Sequence, residues 1–554
     1  MICNTFLAFA AIAVQVALCT SVFMNWDIGY VTVNRDGNNT RRAIGVNGEL
    51  PIPPVEATKG DTVYLTVHNS LDISTSLHAH GLFQNGTNYM DGPAMITQCG
   101  IPPGETFTYV YNLQQSGTYW IHGHDRHQNS DGLRTSFIIK DDNEPPYEYD
   151  RDFTLTFEDW FREEFADREA QTLDPNGAFP PPHGYGFGLV NGINGNYSEP
   201  LYFAPGKMYR IRLSNIGALN SFKFRLPGHC MHVIEVDGVY TEPLKVDAID
   251  IAPAQRYSVL VAAHSTDQFN YRYNTTIHAN FIPPAKGLSP IVYLGDIIYR
   301  KDAPFKNVPI VDESALVVLE DINLISLDQE PGLPVGRTVK YSIGNSLFST
   351  GQHLDFFNNI TFALPNVPTL YTALTSGALA MDPQVYGPQT NALVLKHNEV
   401  VELVIHNPSN LPHPFHMHGH VFQITEYGPA ELPFDDPDAP KNIPTRIPAG
   451  PPVKRDTMVI PEYNYIKVRV RADNPGIWMF HCHLDIHFAM GMAFAIVEAP
   501  DVLQRTMEVP SEMYEFCHQQ SVPIAGNAIG KKGIDFTGLA DPPQLVARNP
   551  RPSI

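Results

Sequence analysis

The sequence predicts an all-β chain built as three consecutive β-sandwich units, and length, turn content and internal repetition all lead there. With 554 residues, the chain is several times longer than a common domain of roughly 100–200 residues. It carries 48 prolines and 40 glycines, and such punctuation, with few long stretches of helical periodicity, fits sandwiches or barrels. Thr62-Val-Tyr-Leu-Thr-Val-His-Asn69, Met208-Tyr-Arg-Ile-Arg-Leu-Ser-Asn215 and Val400-Val-Glu-Leu-Val-Ile-His-Asn407 share one alternating pattern that ends in Asn. Each reads as a half-buried strand.

The first and third of these strands lead into His78-Ala-His80-Gly81 and His416-Met-His418-Gly419, each continuing to Phe and Gln. Downstream, Gly117-Thr-Tyr-Trp-Ile-His122-Gly123-His124 aligns without gaps on Gly476-Ile-Trp-Met-Phe-His481-Cys482-His483. The first and third units therefore match, and the middle one has no His-x-His pair. Boundaries are expected near residues 145 and 305, giving a leader over 1–20 and units over 21–145, 146–305 and 306–554, the last with a surface tail after Cys517. Glu144-Pro-Pro146 reads as a linker and Phe179-Pro-Pro-Pro182 as a surface loop.

Apolar residues make up 43% of the chain and charged ones 17%, the balance of a folded globular protein. The net charge of −21 would repel phosphate backbones and anionic lipid, which argues against nucleic acid and membrane surfaces as partners. A monomer is expected. Residues Met1 to Cys19 form an apolar run ending in small residues at Ala17 and Cys19, the pattern of a cleaved secretory signal, although the missing basic flank leaves a retained anchor as the alternative. Asn38, Asn85, Asn196, Asn274 and Asn359 head glycosylation triplets, and no second apolar span reaches membrane length, so secretion or residence in secretory vesicles is expected. Removing the leader leaves Cys99, Cys230, Cys482 and Cys517, enough for one bridge but not for a disulfide scaffold.

Four His-x-His pairs carry the chemistry: His78/His80, His122/His124, His416/His418 and His481/His483. Residues i and i+2 of a strand face the same way, so each pair can offer two imidazoles to one site, and pairs from the first and third units can enclose a multi-metal cluster between them. Imidazole alone does not choose the metal. The stretch His481-Cys482-His483-Leu-Asp485-Ile-His487-Phe-Ala-Met-Gly-Met492, with His413, does: two His, one Cys and a weak axial Met make a mononuclear blue-copper set. In an extended segment Cys482 points away from His481 and His483, so one short piece of chain can hold copper on both faces. Met490 and Met492 could equally be core filler, and His127, His406 and His420 read as non-ligands.

These residues resemble the multicopper oxidases, in the fungal branch that holds laccases and the ferroxidases of iron uptake. The resemblance spans nearly all of the mature chain, through His78-Ala-His-Gly81, Trp120-Ile-His-Gly-His124, His413-Pro-Phe-His-Met-His-Gly-His420 and the His481 to Met492 stretch. The family has an aromatic where Ala79 stands and Ser where Gly123 stands. The resemblance implies three cupredoxin-like Greek-key domains and four copper ions: type 1 on His413, Cys482, His487 and Met492, type 2 on His78 and His416, and the type 3 pair on His80, His122, His124, His418, His481 and His483. It also implies that Asp91 sits near the cluster, that Asp485 helps deliver protons to oxygen, and that Cys99 pairs with Cys517. A plain turn role for Asp91 and a solvated one for Asp485 stay open.

The expected reaction is one-electron oxidation of a small phenol coupled to reduction of dioxygen to water, with pigment or natural-product formation as its setting. Ferrous iron is the alternative donor. It ranks second because Ser409 stands where the ferroxidase branch has an acid, and because the loops Pro175 to Ser198 and Gln268 to Gly295 contain no carboxylate, which a hard cation needs. The acidic stretch Glu431 to Asp438, with Asp435, Asp436 and Asp438, could supply substitutes. A copper carrier without catalysis would show a broken cluster.

Overall fold

The computed structural model describes residues 20–547, apart from 38, 142–146, 177–185, 195–198, 280–290, 309–312, 433–436 and 438. The leader, the Glu144 to Pro146 linker, the Phe179 to Pro182 loop, and Asp435, Asp436 and Asp438 therefore lie outside the described residues.

Six sheets carry the chain. Two four-stranded sheets hold the strands up to Arg134–Lys140, a seven- and a five-stranded sheet hold those from Arg151–Trp160 to Val292–Ile298, and another seven- and five-stranded pair hold those from Arg337–Phe348 onward. In each pair the apolar faces close on one another, as β-sandwiches require. The sequence-predicted strands appear as Thr62–Asn69, Met208–Asn215 and Val400–His406.

Half-burial holds only for the first. Thr62–Asn69 alternates, whereas Met208–Asn215 and Val400–His406 are buried almost throughout. The polar face of Met208–Asn215 is covered because its charges find partners inside: Arg210 pairs with Glu235, and Arg212 donates to Asp152 (2.9 Å) and to the Thr118 hydroxyl of the first unit (3.1 Å). Strand periodicity reads a face as polar, but not whether another unit will cover it.

The terminal Asn of the three strands repeats for a physical reason. Asn69, Asn215 and Asn407 each accept at Oδ1 from the backbone N–H two residues on, and each donates from Nδ2 to carbonyls of the following loop and of a neighbouring segment. One buried amide thus fixes the exit from the strand and satisfies backbone groups that the turn would leave unpaired. In the first and third units that exit leads into the His-x-His strands Leu77–His80 and His413–Met417.

Cys99 and Cys517 form a disulfide across 418 residues of sequence, tying the helix Ser511–Gln519 to the first unit, and Cys230 is an exposed free thiol.

Asn215→Ala removes three hydrogen bonds at a fully buried position. We expect it to cost about 2–3 kcal/mol and to lower the calorimetric midpoint. An unchanged midpoint would refute the strut role.

Candidate metal centre

Antiparallel pairing fixes where the histidines meet. His78 is the register partner of His122 in the first unit, and His416 of His481 in the third. The two ribbons face each other across the unit boundary. His80 stacks on His416 at 3.6 Å between ring centroids and His78 on His418 at 4.0 Å, while His418 and His481 bring their Nε2 atoms to 3.2 Å. Only the first pair lies wholly within a strand; His124, His418 and His483 stand one residue past their strand ends. All eight imidazoles nevertheless converge, and His78, His416 and His418, His78, His80 and His122, and His124, His418 and His481 each form a set able to hold an ion.

The donor chemistry fits metal. His78 Nε2, His80 Nδ1, His122 Nε2, His416 Nε2 and both nitrogens of His483 are buried without a protein partner. Such atoms are costly unless something else satisfies them. Burial pushes His80, His122, His124, His418, His481 and His483 well below the ordinary histidine range, which keeps them neutral with lone pairs free for a metal. Most of the rings are oriented from the other nitrogen. Nδ1 of His78, His122, His416 and His481 lies 2.8–3.0 Å from a backbone carbonyl, of Asp91, Gly123, Asp456 and Cys482 respectively. These outer contacts set tautomer and aim.

Asp91 is no plain turn residue. Fully buried, it places Oδ2 2.9 Å from His418 Nδ1 and Oδ1 3.2 Å from His78 Nδ1, bridging the two units beneath the cluster. Asp485 is buried too, not solvated. It accepts from Ser130 Oγ (2.6 Å) and Asn129 Nδ2 (3.3 Å), and burial pushes its carboxyl up to about 7. It shares the wall of a cavity of about 650 Å³ with His122, His124, His481 and His483.

On the other face of Gly476–Cys482 lies a second set. Cys482 Sγ stands 3.8 Å from His413 Nδ1 and 3.7 Å from His487 Nδ1, and these two nitrogens are 3.1 Å apart. Met492 is buried beside them, its carbonyl accepting from Cys482 N–H and its N–H donating to the His487 carbonyl. Ser409 Oγ is 3.2 Å from His413 Nε2, on the outer side of that ring.

The glycines of the two His-x-His-Gly motifs are steric requirements. Gly81 has φ +91°, and a Cβ there would meet Arg256 at 2.6 Å and Asp456 at 2.8 Å; at Gly419, with φ +68°, it would meet the Trp478 ring at 2.5 Å. Close approach and left-handed backbone both demand Gly. Among the non-ligands, burial works to lower His420, but Glu498 at 2.9 Å holds it above the ordinary range, and His406 accepts from the Glu431 N–H. The sequence reading missed Asp456, which touches His80 and His416 from outside the motifs, Arg256, which grips Asp456, and Asp355.

Family models described as multicopper oxidase match residues 27–144, 151–291 and 362–502. The chain is 37% identical to the iron multicopper oxidase fer1 of Mycosarcoma maydis, covering 96% of this chain and 89% of that protein. It is 36% identical to the iron transport multicopper oxidase fetC of Epichloe festucae, covering 97% and 86%. Among solved structures, that of Fet3p, a multicopper oxidase that functions in iron import, aligns with a TM-score of 0.81 and 32% identity over 92% of this chain and 96% of that one. The laccase from Botrytis aclada aligns with a TM-score of 0.72 and 25% identity over 91% and 92%.

These likenesses overturn the ranking of donors. Missing carboxylates favour phenol over ferrous iron in the sequence, yet the relatives carry iron in their names at the higher identities. The physical reason is that a carboxylate can reach a cation from any segment around a site, so its absence at Ser409 and in two loops excludes little.

Behind the mononuclear set, Asp355 is 2% exposed. Its Oδ1 accepts from Asn345, its Oδ2 has no hydrogen-bond partner, and its N–H donates to Met490 beside the Met492 loop. Burial pushes its carboxyl from 3.8 to about 7. Between those values the folded chain holds a proton that the unfolded chain releases, so this group costs stability increasingly as pH rises from about 4 to 7. Asp355→Asn is therefore expected to raise the melting temperature at pH 7 and to lose that advantage by pH 4. An equal effect at both values would contradict the assignment.

Proposed function

The chain belongs to the multicopper oxidase family, and we propose that within it the electron donor is ferrous iron, oxidised one electron at a time while dioxygen is reduced to water. The enzyme is a copper oxidoreductase, with four copper ions as its cofactor. We assign the mononuclear type 1 position, when copper is bound, to His413, Cys482, His487 and Met492; the type 2 ion would be held by His78 and His416, and the type 3 pair by His80, His122, His124, His418, His481 and His483. Copper, when bound, supplies the one-electron uptake at the first position and the multi-electron chemistry of oxygen at the others.

The residues supply the rest. The Cys482 side chain faces His413 and His487, and its main chain runs into His481 and His483, so a covalent path joins the donor side to the oxygen side. Asp91 aims His78 and His418. Asp485, with its carboxyl pushed up to about 7 at the cavity wall, holds a proton near neutral pH where reduced oxygen will need one.

The observation that carries the choice of iron is 36–37% identity across almost the whole chain to oxidases named for iron. Local chemistry is compatible. Tyr463 N–H donates to the Ser409 carbonyl and Ala430 N–H to the Tyr463 carbonyl, so the exposed acids Glu462 and Glu431 sit on segments bonded in series to the Ser409 loop. Carboxylate oxygens there suit a hard cation. We place the protein in the secretory route, given its apolar leader and exposed Asn85 and Asn359. Among the described residues no helix is long and apolar enough to cross a membrane.

Oxygen uptake by the copper-loaded protein tests the donor. We expect kcat/KM for ferrous iron to exceed that for a syringol-type phenol by about two orders of magnitude, roughly 2.7 kcal/mol of discrimination. Equal or better turnover of the phenol would overturn the proposal.

A further inference from the structure

His80 differs from its neighbours in the atom by which it is held. Nδ1 of each of His78, His122, His416 and His481 meets a backbone carbonyl, whose position the fold fixes, although Nδ1 of His78 also lies 3.2 Å from Asp91 Oδ1 and that of His416 lies 3.3 Å from Thr457 Oγ1 and 3.5 Å from Asp456 Oδ1. His80 is held from Nε2, 3.3 Å from Asp456 Oδ1 and 3.3 Å from Thr457 Oγ1, and its Nδ1 is the buried, unpartnered atom. Its aim therefore depends on side chains, above all a carboxylate that could rotate.

Asp456 does not rotate freely because a guanidinium holds it. Arg256, fully buried, donates from Nη1 to Oδ1 and from Nη2 to Oδ2, both at 2.7 Å. The Thr457 hydroxyl adds a bond to Oδ1 at 2.8 Å. The arginine is itself pinned: Nε donates to the Thr118 carbonyl at 2.9 Å, Nη1 to the Ala254 carbonyl at 3.1 Å, and Nη1 lies 3.4 Å from Asp237. A planar fork gripping both carboxylate oxygens fixes the plane as well as the position of that group, which a lysine could not do. Gly81, next to His80, has no room for a Cβ because this clamp occupies the space.

The geometry points to Arg256 as a positioning residue for the copper cluster, acting through Asp456 to set the ring of His80. The second unit has no His-x-His pair, yet through this residue it reaches the site between the other two: Thr118 and His80 come from the first unit, Arg256 from the second and Asp456 from the third. The inference rests on the cluster's being the oxygen-side copper site proposed above.

Copper analysis and EPR of the purified holoenzyme test it, because the mononuclear copper is an internal reference in the same molecule. Wild type should carry four ions; failure there would sink the functional reading before any variant is made. In Arg256→Met we expect the mononuclear signal to persist at full intensity while the ratio of cluster copper to mononuclear copper falls at least threefold. Arg256→Lys, which keeps charge without the fork, should fall between the two. Arg210→Met serves as a structural control, since Arg210 is equally buried and pairs with Glu235 rather than with Asp456; it should lower thermal stability and keep the full ratio. If Arg256→Met does not fold, Arg256→Lys decides by the same ratio. An unchanged ratio in the arginine variants, or an equal loss in Arg210→Met, would overturn the inference.

Discussion

Consecutive residues of an extended strand point to opposite faces, and the pair His481–Cys482 turns that alternation into function. His481 sits among the imidazoles between the units, with its Nε2 3.2 Å from that of His418, while Cys482 faces His413 and His487 on the far side. The strand Gly476–Cys482 is buried at every position, because ahead of the His481–Cys482 pair Trp478 and Phe480 enter one apolar core and Ile477 and Met479 another. Neither site could shift by a residue without destroying the other, since a one-residue slip exchanges the faces. The loop that follows closes on the same strand: Met492 bonds by its carbonyl to Cys482 and by its N–H to His487.

The rest of the molecule holds two such ribbons in opposition. Fully buried charges do this at the unit boundaries, each compensated: Arg256 between Asp237 and Asp456, Arg455 between Asp237 and Asp321, Arg210 and Arg212 around Glu235. Buried ion pairs are a poor source of stability, but removing one partner leaves an uncompensated charge in a dry interior. Such pairs therefore penalise misdocked units heavily. The second unit, which brings no ligand pair, has its place in the molecule as the source of several of these charges.

Much of this was legible in the sequence because the ligands come in short, repeated spacings. Four His-x-His pairs, one of them His-Cys-His, announce themselves within three residues each, and the terminal Asn of three strands marks the repeat because each does the same local work. What stayed hidden depends on long-range placement. Asp456 carries no motif, and Arg256 lies 200 residues from it. The burial of Met208–Asn215 on both faces follows from a neighbouring unit that no periodicity can foresee. The expectation of a phenol fails for a related reason. The loop that carries Ser409, beside His413, is bonded to Tyr463 and Tyr463 in turn to Ala430, so that Glu462 and Glu431, distant from Ser409 in sequence, stand on segments next to it in space.

The central claim is that one thiolate joins two metal sites. It is tested most directly by Cys482→Ser, with copper counted and oxygen uptake followed under ferrous iron. We expect loss of one copper of four, disappearance of the thiolate-to-copper absorption, three ions retained in the cluster, and a fall in iron-driven oxygen uptake of about three orders of magnitude, roughly 4 kcal/mol. A variant that keeps the absorption band, or that consumes oxygen at the wild-type rate without it, would contradict the account.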